Sequence, residues 1–178
     1  MTDKGIRVPL PPLDDAEADV QRLFDAFMRE RGNVPNLFRA ASLRPSIVLT
    51  LFAHLRAVTG PGEVPVLLKE LLTVRVSQLN SCAYCLASHT ALSRKNGATD
   101  EQLSSLEAGR FDGFEPGWRA AFAFADAMTP TGGDVTDEIY AELARWWTPP
   151  QIVEITAVIG FFNYFNRFAE ALRIPVTR

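Results

Sequence analysis

Glu70, the run Cys82-Ala83-Tyr84-Cys85, and His89 are the residues whose types and spacing could do chemistry. The chain has two cysteines, and both fall in this C-x-x-C; one of its two histidines follows four residues later. On a helix, positions i, i+3 and i+7 share a face, so Cys82, Cys85 and His89 are expected to line up. A thiol pair beside a base is the equipment of thiol redox chemistry. Side chains three apart on a helix lie about 5–6 Å apart at Cβ, and a disulfide needs about 3.8 Å, so the first turn must adjust. That turn also carries unpaired amide N–H groups and the positive end of the helix dipole, which favour thiolate over thiol.

His89, one turn after Cys85, can accept a thiol proton or stabilise a thiolate. Glu70 shares a helix face with Val66, Leu67, Thr73, Val74 and Ser77, with no Lys or Arg at i±3 or i±4. A carboxylate on such a stripe is expected to be partly desolvated, which suits proton transfer. Two other readings of the cysteines stay open. They could be inert core residues, or Cys82, Cys85 and His89 could hold zinc. Zinc needs a fourth ligand, and for His54, the other histidine, with Leu51 and Val58 on its face, packing or an interface contact is expected instead.

These residues need helices to position them. Prolines 9, 11 and 12 make residues 1–13 an extended N-terminal arm, and residues 14–178 are expected to form one helical domain. Asp14 or Asp15 should cap a helix that carries Leu23, Phe24 and Phe27 and ends at Gly32. Further helices are expected over 37–43, 47–58, 67–79 and 82–96, the last stopped by Gly97. Thr99 to Gln102 is a capping-box pattern. More helices follow over 118–128, from Thr136 through Trp147, and from Thr148 to about Arg173. No sustained period-2 pattern occurs, so the fold class is all-α, with short connections between neighbouring helices. Trp146-Trp147 and the aromatic run 161–165 are expected to divide between core and subunit interface. A faint internal repeat pairs Pro65–Val74 with Pro149–Val158, sharing proline, glutamate and valine at equal offsets. It makes Glu154 the counterpart of Glu70 and puts Asn166 and Ala169 where the cysteines would be.

Composition narrows the function. A net charge of −3 leaves no electrostatic footprint for nucleic acid. No segment approaches the roughly 20 uninterrupted apolar residues of a membrane span, and the N-terminus lacks an apolar signal region. A cytoplasmic protein is the expectation. In that compartment a C-x-x-C is more often catalytic, redox-sensing or metal-binding than a structural staple.

A glutamate followed twelve residues on by C-x-x-C-x-x-x-H resembles the pattern of the AhpD-like alkyl hydroperoxidases, within the carboxymuconolactone decarboxylase superfamily. Here Glu70, Asn80-Ser81-Cys82-Ala83-Tyr84-Cys85 and His89 carry it, and the match is best over residues 65–97. The proline-rich start and the ending with Phe162, Asn163, Asn166 and Arg167 look like the peroxidase-related branch. The resemblance implies an AhpD-like helical bundle and a homo-oligomer, a trimer, hexamer or dimer. It also implies hydroperoxide reduction, with Cys85 peroxidatic, Cys82 resolving, and Glu70 and His89 relaying protons. Ser81 and Tyr84 are accessory candidates, although AhpD has a histidine where this chain has Tyr84. Lactone decarboxylation is disfavoured, because the superfamily's decarboxylases lack the cysteine pair. No metal and no cofactor beyond the Cys82–Cys85 disulfide is implied, and the partner is an external dithiol or protein reductant. The alternatives are a thiol–disulfide oxidoreductase acting on protein disulfides and a non-enzymatic redox-sensing oligomer.

Overall fold

The computed structural model describes residues 5–177, so the first four residues of the expected arm lie outside it. All the regular elements among the described residues are helical: α1 (Ala18–Arg31), α2 (Asn36–Ala41), α3 (Pro45–Thr59), α4 (Val66–Leu79), α5 (Ala83–Lys95), α6 (Asp100–Glu107), α7 (Pro116–Met128), α8 (Asp137–Ala144) and α9 (Pro149–Leu172). They fall into two compact units, one of Met1–Ala57 with Phe168–Arg178, the other Val58–Arg167. Among the described residues no helix is long and apolar enough to cross a membrane.

In the first unit, Phe27, Phe38 and Phe52 gather their rings, with centroids 4.7, 5.0 and 6.1 Å apart, in tilted and edge-on arrangements. Arg39 donates to the carbonyls of Leu10 and Pro11, and the Arg7 amide to Leu172, so the described part of the arm is tied down through its backbone. Helix α1 begins later than the sequence suggests. Its N-cap is Glu17, not Asp14 or Asp15, because residues 13–14 make a turn first. Gly32 ends it in the left-handed conformation, φ 74°. His54 is exposed on α3, which leaves the interface contact of the two roles expected for it.

The second unit is organised around α4, in which every residue from Leu68 to Ser77 is buried. A helix covered on all sides would ordinarily be apolar all round. This one carries Lys69, Glu70 and Arg75, and each meets a partner from another element. Lys69 pairs with Glu154 of α9 and donates to the Gly60 carbonyl at 2.6 Å. Arg75 forms a two-point pair with Asp126 of α7 (2.6 and 2.7 Å), donates to the Leu106 carbonyl, and lies over the Phe111 ring. Glu70 faces α5. Burying these charges is tolerable because none is left without a counter-charge or hydrogen bond.

Side-chain capping sets two of the remaining helix starts. Thr99 and Gln102 form the reciprocal capping box of α6, and Thr136 accepts from the Ile139 amide at the start of α8. Helix α8 stops at Ala144, three residues short of the expected Trp147. Trp147 turns out to donate its indole N–H to the Gly117 carbonyl (2.8 Å), and Pro149 disfavours helical backbone just before it. The aromatic runs divide: Phe161, Phe162 and Phe165 are buried, whereas Trp146 and Tyr164 are exposed.

Candidate active site

Helices α4 and α5 are joined by three residues, Asn80, Ser81 and Cys82, and that joint builds the site. Ser81 is a non-glycine residue in the left-handed region, φ 54°. Its amide donates to the Gln78 carbonyl and the Cys82 amide to the Ser77 carbonyl, at 3.0 and 2.9 Å. These are the two bonds of a Schellman closure, in which the left-handed position usually holds glycine. Cys82 therefore closes α4 and at once caps α5.

As that cap, Cys82 has extended backbone (φ −86°, ψ 96°), and the helix proper begins at Ala83. The expectation that Cys82, Cys85 and His89 share an ideal helix face needs correcting on this point. Cys85 and His89 lie one turn apart on α5, but Cys82 sits outside the helical path. The two cysteines lie 3.6 Å apart. Both are buried, Cys82 fully and Cys85 with 2% exposure. Cys85 occupies the third helical position, among the first-turn amides that have no acceptor within the helix.

Glu70 projects from the middle of α4 and meets His89 of α5, with Oε2 2.7 Å from Nδ1. Their side chains are 9% and 12% exposed, so water screens the contact little. A carboxylate here accepts from Nδ1–H, which makes Nε2 the basic nitrogen of the neutral ring. The imidazole also stands edge-on to Phe162 of α9, centroids 4.7 Å apart, which fixes its plane. Tyr84 is buried beside the cysteines, and Ser81 is exposed. The structure thus gathers Glu70 with His89, and Cys82 with Cys85, on one pair of helices. Among the described residues no three His, Cys, Asp or Glu side chains form a group that could hold a metal ion.

Two features escaped the sequence reading. Phe162 holds His89 although it lies far along the chain. A polar cluster of Ser77, Asn80, Asn163 and Asn166 backs the α4–α5 joint. The shared phenylalanine and asparagines of the chain's ending were the one available signal. Glu154, aligned with Glu70 by the internal repeat, has a different role. Its carboxylate accepts from the amides of Glu63 and Val64 while pairing with Lys69, so it holds the loop before α4. A Cβ on Gly62 would collide with it.

The chain matches a known family. The family model of the carboxymuconolactone decarboxylase family matches residues 45–127, the span that holds Glu70, both cysteines and His89. The uncharacterized protein YdfG of Bacillus subtilis (strain 168) is 32% identical over 106 residues, 58% of this chain and 72% of YdfG. A peroxidase-related protein from Ralstonia eutropha JMP134, described as having an alkylhydroperoxidase AhpD core, superposes with TM-score 0.87 at 23% identity, over 97% of this chain and 92% of its own. The debrominase Bmp8, crystallised with 2,3,4-tribromopyrrole, gives TM-score 0.84 at 19% identity, over 98% and 92% of the two chains. The chain belongs to the carboxymuconolactone decarboxylase family, and its all-helical fold is the AhpD-like one.

Proposed function

We propose that the chain is a thiol peroxidase that reduces hydroperoxides through its cysteine pair. The observation that carries this reading is the buried Glu70–His89 contact, one turn from Cys85, beside a second thiol 3.6 Å from the first. Glu70 holds His89 through Nδ1, and Nε2 takes the Cys85 proton, directly or through water. The thiolate attacks the peroxide O–O bond, which breaks. One oxygen becomes the Cys85 sulfenic acid, and the other leaves with a proton as alcohol or water. Cys82 then attacks the sulfenic sulfur, water departs, and the Cys82–Cys85 disulfide forms. An external dithiol or a protein reductant restores both thiols by exchange.

Thiol–disulfide exchange with protein partners is the alternative, and failure to consume peroxide alongside rapid exchange with a partner disulfide would favour it. The debrominase on the same fold is a reminder that the fold by itself does not choose the reaction. Exposure of Tyr140, Trp146, Val153 and Tyr164 fits the further proposal that the protein works as a homo-oligomer.

The test is rapid mixing of fully reduced protein with hydrogen peroxide and with an organic hydroperoxide, following thiol loss. Two thiols should disappear far faster than from free cysteine, and Cys85→Ser should abolish the reaction. Full activity in Cys85→Ser, or rates no faster than a free thiol, would refute the peroxidase reading.

A further inference from the structure

We propose that Asn166 is a positioning residue for the cysteine pair. By holding Ser77 and Asn80 it fixes the left-handed turn at Ser81, and with it the place of Cys82 against Cys85. This rests on the reading above only in that the pair must cycle between dithiol and disulfide.

Asn166 lies on α9 and is fully buried. Its Nδ2 donates to Ser77 Oγ at 3.1 Å, and its Oδ1 accepts from Asn80 Nδ2 at 3.0 Å. Those two partners lead into the turn. Ser77 is the residue whose carbonyl receives the Cys82 amide, and Asn80 is the last residue before Ser81. One carboxamide therefore grips the first and fourth residues of the six-residue segment Ser77–Cys82. The grip is itself anchored. Asn80 Nδ2 also donates to Asn163 Oδ1, which accepts from Arg167 Nη1 at 2.7 Å. Asn163 Nδ2 reaches Thr129 Oγ1 at the end of α7.

The turn needs such support. A serine in the left-handed region costs about 1 kcal/mol relative to its relaxed backbone, and surrounding contacts must hold it there. Cys82 is the N-cap of α5, its carbonyl accepting from the Leu86 amide while its own φ and ψ stay extended, so the Ser77–Cys82 turn helps set its place against Cys85. A preorganised thiol pair has a higher effective concentration, hence a more stable disulfide. The asparagines of α9 thereby tune the redox equilibrium of the pair through the turn that carries Cys82.

The measured quantity is the equilibrium constant of the pair against glutathione. Two S–H bonds are lost and one S–S bond forms, while glutathione disulfide takes both electrons and both protons to become two thiols. In Asn166→Ala the constant for disulfide formation should fall about tenfold, equivalent to ~30 mV for this two-electron couple. Ser77→Ala, which removes one arm of the grip, should lower it about threefold, and it carries the test should Asn166→Ala fail to fold. Val158→Ala, a buried truncation elsewhere on α9, should lower unfolding stability and leave the constant within about twofold of wild type. An unchanged constant in the folded variants, or an equal fall in Val158→Ala, overturns the inference. A wild-type pair that forms no disulfide at any glutathione ratio would instead overturn the redox reading itself, and this inference with it.

Discussion

Glu70 Oε2 and His89 Nδ1 stand 2.7 Å apart between two buried helix faces, and this contact sets which imidazole nitrogen can work as a base. A neutral ring that donates through Nδ1 keeps Nε2 available, and a carboxylate at Nδ1 stabilises the imidazolium once Nε2 has taken a proton. Glu70→Gln preserves the shape and a hydrogen bond but removes that charge. Sulfenate formation should slow about 10²-fold, the scale of general-base effects, with little loss of folding stability. Stopped-flow reaction of the reduced variant with peroxide measures this, and a wild-type rate would remove Glu70 from the relay.

The left-handed backbone at Ser81 gives a second expectation, on stability. Glycine adopts this conformation without a Cβ penalty, and a β-branched residue adopts it worst. Ser81→Gly should hold or raise stability by about 0.5–1 kcal/mol, and Ser81→Val should lower it by about 1–2 kcal/mol. Urea denaturation of the two variants decides it. A stabilised valine variant would mean that the turn is not strained.

Asp126 faces Arg75, a guanidinium on the most buried helix of the second unit. Removing one member of such a pair leaves an uncompensated charge, so Asp126→Ala should lose about 3 kcal/mol of unfolding free energy. The peroxide rate per folded molecule should not change, because Arg75 and Asp126 take no part in the proposed proton relay. A loss below about 1 kcal/mol would show that the pair is screened as a surface bridge is.

What could be read from the sequence was chemistry held within one element or one turn. Thr99 with Gln102, Thr136, Gly32 and Gly97 announced their helix ends, since capping and left-handed stops depend on neighbouring residues. The spacing of Glu70, the cysteines and His89 also predicted a common site, and the structure does bring Glu70 against His89.

Hidden from that reading was whatever depends on distant segments. Lys69 and Arg75 look like a solvated face until Glu154 and Asp126 arrive from α9 and α7. Trp147 left the helical path for a carbonyl in another helix. The sequence pattern starts α5 at Cys82, yet the Schellman bond from the Cys82 amide to the Ser77 carbonyl holds this residue at the cap. The asparagine cluster was visible as a pattern, but its grip on the Ser81 turn needed three dimensions.

The most direct test is to trap the intermediate in Cys82→Ser. The reduced variant is mixed with one equivalent of hydroperoxide, then labelled with a sulfenate-specific nucleophile and analysed by intact mass and peptide mapping. One added oxygen, located on Cys85 and formed at nearly the wild-type rate, is the predicted result. A protein that gains no oxygen, or gains it no faster than free cysteine does, would contradict the account and require another substrate for the pair.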